Sequence, residues 1–339
     1  MVQCRLHLVV APLVAMPTRL SRLSAPAALL LSFPRVRSLV VPPTIDRQAS
    51  LIAGFRERIA ECNREGPPST PFYVGSDLAG RVPNTLASFF AGYPEIFDCS
   101  DDAINLKAKL VDASVDERTA AIATVTAAMR EAGLVKGWRD ELLSVSTAYD
   151  APPAFLVERT CLPLFGAKGY GVHVNGWCVD PSTNEPCLWV ATRALSKPTW
   201  PGMLDHLVAG AQPAGLSPSE NVVKEAGEEA GVPEELAKTA VPVSICSYVG
   251  TDEFGQLKRD VLFNYDLQLP WDFEPKAVDG EVESFERWPL SKVADAVAFG
   301  KPAFYKPNCN LVVIDFLVRR GFLTPDAPGY VELVSGLRV

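Results

Sequence analysis

The sequence predicts an α/β fold, a sheet with helices packed against it, preceded by a smaller α+β unit. A chain of 339 residues with 48% apolar content has the length for two domains and the material for a substantial core. Beyond a Pro152-Pro153 pair, extended stretches separated by turn-forming residues are interrupted by two amphipathic helical stretches. Before that pair, short extended stretches alternate with helices, and no catalytic constellation stands out.

Ile45 to Asn63 reads as a helix, with Ile52, Phe55, Ile59 and Cys62 recurring at three and four residues, and Pro67-Pro68 stop it. Phe72 to Val74 and Ile96 to Asp98 read as extended. Val115 to Ala132 is the clearest helix of this part. Val115, Ile122, Val125 and Met129 define its face, the Thr119 methyl is placed to fill the gap, and Gly133 sits where a C-terminal cap belongs. The later strands are Gly171 to Val179, Cys187 to Arg193, Val243 to Val249 and Val261 to Leu269, the first two joined as a hairpin through Pro181 to Pro186. Helices are expected around Pro218 to Ala230 and Asn310 to Arg320, the latter with Leu311, Ile314 and Val318 as its buried stripe. The division is thus residues 1–45 as a presequence, 46–150 as an N-terminal α+β module and 151–339 as the domain that carries the chemistry.

Charge narrows the function. Residues 1 to 45 carry Arg5, Arg19, Arg22, Arg35 and Arg37 and no acid or lysine, with Ser21, Ser24, Ser32 and Ser38 interspersed. That is the composition of a mitochondrial or chloroplast transit peptide and predicts an organellar protein; the rival reading is a secretory signal, with Leu6 to Met16 as its apolar stretch after Arg5, although Pro12 interrupts it and basic residues continue past it. Without that segment the formal net charge of −8 becomes −13. Such a protein repels polyanions, which argues against a nucleic-acid partner. No stretch approaches the roughly twenty uninterrupted apolar residues of a membrane span. The eight cysteines contain no C-x-x-C pair and read as buried free thiols in a reducing compartment.

The chemistry is concentrated in one helix. Ser217-Pro218-Ser219-Glu220 supplies a capping serine, a proline at the first helical position and a glutamate that closes a capping box, and Gly231 supplies the stop. Val222, Val223, Ala226 and Ala230 form an apolar stripe, leaving Glu225, Glu228 and Glu229 clustered on another face. Carboxylates at this spacing repel unless a cation neutralises them. Hard oxygen ligands converging from one face suit Mg²⁺, which bridges carboxylates to substrate phosphates. Lys224, four residues before Glu228, is placed to tether it and leave Glu225 and Glu229 as the more direct ligands.

With Gly210 before it, the run Lys224-Glu225-Ala226-Gly227-Glu228-Glu229-Ala230-Gly231-Val232 resembles the Nudix box, G-x5-E-x7-R-E-U-x-E-E-x-G-U with U aliphatic. Glu225, Glu228, Glu229, Gly231 and Val232 fall in register with Gly210. Lys224 stands where arginine is usual, and Leu216 where the first glutamate is usual. The resemblance implies a Nudix-type α/β/α sandwich with a mixed sheet. It also implies hydrolysis of a diphosphate bond in a small molecule, with Mg²⁺, for which Mn²⁺ substitutes, at Glu225, Glu229 and Gly210, and with Glu228 assisting. The runs Tyr170 to Gly176, Trp200 to Asp205 and Lys258 to Leu262, together with Trp138-Arg139-Asp140-Glu141, are similar to plant organellar Nudix proteins and to the Nudix half of fungal thiamine pyrophosphokinases. That likeness implies oxidised or damaged thiamine diphosphate analogues as substrates, hydrolysed to monophosphates. A second, kinase domain is not expected after the Nudix half, so the likeness does not imply thiamine pyrophosphokinase activity itself.

Glu281, in Gly280-Glu281-Val282-Glu283 before the final helix, is a further candidate as metal ligand or catalytic base. His173, which alternates with Val172 and Val174, His206, Lys258 and Arg259 are candidates for substrate contact. Trp177, Trp189 and Trp200 read as core. Two other functions remain open: hydrolysis of a nucleoside diphosphate derivative such as 8-oxo-dGDP, ADP-ribose or a dinucleotide, or a non-catalytic binding module on the same fold.

Overall fold

The computed structural model describes residues 40–252 and 255–339. The presequence expected over residues 1–45 lies almost entirely outside these. The chain begins with helix α1 (Ile45–Cys62), strands β1 (Ser69–Val74) and β2 (Asp77–Pro83), α2 (Ala87–Ala91), β3 (Phe97–Cys99), β4 (Ile104–Leu106), α3 (Ala108–Val111), α4 (Val115–Glu131), β5 (Leu142–Val145) and β6 (Phe155–Glu158). It continues with β7 (Gly169–Val179), β8 (Pro186–Arg193), β9 (Leu204–Asp205), β10 (Val208–Ala211), α5 (Pro218–Ala230), α6 (Glu234–Ala237), β11 (Val241–Thr251), β12 (Leu257–Gln268), β13 (Val282–Pro289), α7 (Leu290–Phe299), α8 (Pro307–Arg319) and α9 (Tyr330–Ser335).

In the N-terminal part, a four-stranded sheet ordered β2-β1-β4-β3 and the β5-β6 hairpin pack with α4 around Phe72, Phe90, Phe97, Phe155 and Phe165. Helix α4 buries Ile122, Val125 and Met129 as its spacing requires. Thr119 is partly buried, and its hydroxyl accepts the Leu156 amide at 2.9 Å. Pro152-Pro153 lies inside the connection between β5 and β6, which pair with each other, and the surrounding core runs on to Ala167.

The second sheet has the order β11-β12-β7-β8-β13, with β10 added to β7 and β9 to β8. It is mixed: β7 runs parallel to β12 and antiparallel to β8 and β10. Because successive side chains of a strand face opposite ways, β7 serves two cores. Val172 and Val174 pack with Val222, Ala226 and Ala230 of α5 on one face. Leu188, Val190, Cys246 and Leu262 meet α7 and α8 on the other, and Leu51, Ile52, Phe55 and Ile59 of α1 join this second core, although α1 precedes the N-terminal sheet in the chain. The result is an α/β/α sandwich.

Three sequence expectations are corrected here. Strand β13 and helix α7 follow Glu281, so that residue leads into a strand and not into the final helix. Helix α8 is buried from Cys309 through Leu317, not along one stripe, because α1 and α7 cover the side that the sheet leaves open. Among the described cysteines, Cys99 is exposed and the others are buried and free. No helix among the described residues is long and apolar enough to cross a membrane.

Candidate active site

Helix α5 forms as its sequence dictates. The Ser217 hydroxyl accepts the Glu220 amide at 3.3 Å, the Glu220 carboxylate accepts the Ser217 amide at 2.8 Å, and Gly231 closes the helix at φ +59°. Val222, Ala226 and Ala230 are buried against the sheet, and Asn221 is buried with them. The Asn221 amide donates to the Ala211 carbonyl at 2.8 Å and so fixes α5 on β10. This docking aims the two box carboxylates at β10. The Ala209 amide donates to Glu229 at 3.0 Å. Glu225 lies against Gly210, where an added Cβ would stand 2.5 Å from Glu225 Cδ. Glu228 is exposed and takes a 2.8 Å bond from Lys224, which also donates to Glu225 at 3.1 Å.

Glu281 comes to the same place from the approach to β13. Its carboxylate, that of Glu229 and that of Asp279 bring one oxygen each within 4.8 Å of one another. The Glu281 carbonyl accepts the Ala194 amide at 3.0 Å, and its carboxylate pairs with Lys197. Asp279, Lys197 and Ala194 carry no sequence signal of their own; the β8-β13 pairing brings them in.

Burial first, and crowding of like charge after it, show in the electrostatics. Loss of solvent around Glu229 pushes its carboxyl up to about 8; the Ala209 amide opposes this, while Asp205, Glu225 and Glu281 add to it. Glu225 is raised as well, first by burial, with Lys224 and then Arg159 pulling it down. Burial would raise Glu281 too, but the Lys197 ammonium, with Arg139 and Arg193 behind it, leaves its carboxyl lowered. Thus the N-terminal part supplies positive charge to the site. Buried Glu158 accepts the Arg139 and Glu141 amides at 2.9 and 3.2 Å, Arg159 pairs with Glu141 at 2.8 Å, and the Ala214 amide reaches the Leu142 carbonyl at 3.0 Å.

The other candidates scatter. His173 and His206 meet edge to face at 5.1 Å on the sheet face away from α5. Burial lowers the His206 imidazole to about 4 against the raising pull of Asp205. Lys258 and Arg259 stand at the start of β12, where Arg259 donates to the Gly166 carbonyl at 3.2 Å, and they are not grouped with the carboxylates. Trp177 and Trp189 are buried in the two cores that flank the sheet, and the Trp200 carbonyl accepts Arg193 at 3.0 Å.

Comparison with known proteins bears on this geometry. Nudix hydrolase 20, chloroplastic, from Arabidopsis thaliana is 41% identical over 300 residues, which cover 86% of this chain and 79% of the relative. The chain belongs to the Nudix hydrolase family. Nudix hydrolase 24, chloroplastic, from the same plant is 39% identical over 297 residues, 87% of this chain and 80% of the relative. A family described as Domain of unknown function (DUF4743) matches residues 54–169, up to the first residue of β7. A solved Nudix hydrolase from M. smegmatis is similar with a TM-score of 0.30 at 16% identity, over 37% of this chain and 73% of that one.

This Nudix hydrolase is accordingly a pyrophosphohydrolase, and members of the family generally use divalent metal ions. The residues present fit one. The donors are carboxylate oxygens, the hard ligands that Mg²⁺ prefers, and burial, to which the neighbouring carboxylates add, raises the Glu229 carboxyl, a penalty that a bound cation relieves.

Proposed function

We propose that this Nudix hydrolase cleaves the diphosphate of oxidised or otherwise damaged thiamine diphosphate analogues, releasing the monophosphate and inorganic phosphate, in a chloroplast or mitochondrion. The observation that carries the chemistry is the convergence of Glu229 and Glu281 beside the Glu225 arm that Gly210 accommodates. In this reading Glu225 and Glu229, with Gly210 beside them, hold Mg²⁺ or, in its place, Mn²⁺. Such an ion supplies charge neutralisation for the diphosphate oxygens and a bound water of lowered pKa. Glu281, kept ionised by Lys197, is the carboxylate suited to accept a proton. Lys224 keeps Glu228 beside the pair in an assisting role, and Arg139 and Arg159 offset the charge of an arriving diphosphate.

The organic half of the substrate has a candidate berth. A cleft of about 220 Å³ opens beside the loop between β10 and α5, lined among others by Ser144, Ser146, Tyr149, Lys168, Tyr170 and Gln212. Leu216, the residue that replaces a box glutamate, closes one side of it. Tyr149 and Tyr170 stand 4.9 Å apart and offer ring faces to a heteroaromatic group. The Lys168 ammonium at the rim opposes the cationic thiazolium of the intact cofactor more than a neutral, oxidised ring. Support for thiamine derivatives over other diphosphates comes from the sequence likeness, to which the cleft adds two tyrosine rings.

The test is kcat/KM for oxo-, oxy- and intact thiamine diphosphate measured beside 8-oxo-dGDP and ADP-ribose, with products identified by mass spectrometry. Preference for the oxidised thiamine forms is expected. Preference for either nucleotide transfers the assignment to nucleoside diphosphate derivatives, and absence of turnover on every diphosphate overturns the catalytic reading.

A further inference from the structure

On the sheet face away from α5, three side chains from three distant segments point at one another. His173 on β7, His206 after β9 and Cys309 on α8 each bring one donor atom within 4.8 Å of the other two. They are enclosed, at 3%, 3% and 0% exposure. Buried polar atoms ordinarily have partners, and leaving them without any is costly. Here Nδ1 of His173 and the Tyr305 hydroxyl have none, and the ring nitrogens of His206 have no partner in good hydrogen-bond geometry, with only the Cys309 backbone bearing on that ring. The Cys309 thiol donates to Asp205 at 2.9 Å, and Asp205 is held by Arg193 at 2.6 Å and by the His206 amide at 2.9 Å.

We propose that His173, His206 and Cys309 bind a thiophilic metal ion, Zn²⁺ or Cu⁺, at a site chemically separate from the carboxylates of α5. Imidazole and thiolate are the ligands these ions select, whereas Mg²⁺ requires oxygen. Metal–nitrogen and metal–sulfur bonds of about 2.0 and 2.3 Å place ligand atoms roughly 3.5 Å apart, so donors that lie within 4.8 Å of one another close only slightly on loading. Loading removes the Cys309 proton, which leaves to solvent, and the thiolate bonds the ion. For Cu⁺ this exchanges one positive charge for another and needs only the three donors. For Zn²⁺ the neighbouring Asp205 oxygen, freed of the thiol proton, completes a fourth position.

The site has a structural consequence for catalysis. It ties α8 to β7 and to the stretch that runs from His206 into β10, whose Ala209 amide holds Glu229. Its ion therefore acts as a positioning element for the carboxylate helix.

The full chain is to be loaded with Zn²⁺ or Cu⁺ under reducing conditions, desalted, and its metal content measured. About one equivalent of one of the two ions is expected, and which one is retained identifies the occupant. Cys309→Ser and His206→Ala are each expected to weaken retention at least about a hundredfold, while Glu229→Gln retains the ion and loses turnover. Co²⁺ added to the unaltered protein is expected to show a thiolate-to-cobalt charge-transfer band, so the result does not depend on the variants folding. Absence of that band, absence of retained Zn²⁺ and Cu⁺, or loss of the ion in Glu229→Gln overturns the proposal.

Discussion

Glu225 occupies the room left by the missing side chain of Gly210: a Cβ there would stand 2.5 Å from Glu225 Cδ and 2.8 Å from one carboxylate oxygen. Gly210→Ala is therefore expected to push the carboxylate arm off β10. Misplacement of about 1 Å at a reacting centre costs up to about a hundredfold, so kcat should fall at least about tenfold, with about 1–3 kcal/mol lost from stability. Turnover at saturating metal together with thermal unfolding measures both. Unchanged kcat would remove Glu225 from the site.

Glu229→Gln should lower kcat by at least about a hundredfold, the scale of losing one key electrostatic group. The fold should survive, because the glutamine carbonyl still accepts the Ala209 amide that now reaches Glu229 at 3.0 Å. Circular dichroism and steady-state rates on the same preparation check the pair of outcomes, and full activity in a folded variant refutes the assignment.

The raised Glu229 carboxyl sets a pH dependence. With a folded value of about 8 against an ordinary 4.5, the folded state binds more protons than the unfolded chain between those limits. Its contribution to metal-free stability is complete below about 4.5 and disappears as pH rises through about 8. Ion binding must expel the same proton, so apparent Mg²⁺ affinity should climb by up to about tenfold per pH unit until about pH 8 and then level. Calorimetric titration in buffers of different ionisation enthalpy reads the released proton directly. Glu229→Gln should release fewer.

Arg193 holds the buried Asp205 carboxylate at 2.6 Å and caps the Thr199 and Trp200 carbonyls at 3.0 Å each. Replacing it with methionine strands a buried charge, for which about 3 kcal/mol of destabilisation is expected. Adding Asp205→Leu should recover part of that loss, and a denaturant-unfolding double-mutant cycle shows the coupling. Additive losses would mean the two residues act independently.

Lys168→Glu reverses the charge at the rim of the tyrosine cleft. If this cleft receives the thiazole end of the substrate, the change should favour the intact cationic cofactor over its neutral oxidised forms by about threefold to tenfold in relative kcat/KM, the reach of a partly screened charge. An unaltered ratio places that end of the substrate elsewhere.

How much of this was legible without coordinates follows the range of each interaction. Capping by Ser217 and Glu220, the stop at Gly231 and the buried stripe of Val222, Ala226 and Ala230 span one helix, so local periodicity fixes them; Val223 lies at the edge of that stripe, only partly buried. The spacing that groups Glu225, Glu228 and Glu229 is equally local, as is the opposite facing of His173 from Val172 and Val174. What a single helix cannot specify is its neighbour. Glu281 meets Glu229 only because β13 pairs with β8. Lys258 and Arg259, which open one of the resembling runs, stand at the start of a strand where the Gly166 carbonyl takes the arginine. Cys309 carries no signal until α8 is laid across the sheet. The sequence by itself determined that a carboxylate helix forms and which face it presents. Tertiary structure alone decided which carboxylates, cations and thiols surround that face, because those contacts join segments whose separation along the chain leaves no periodic trace.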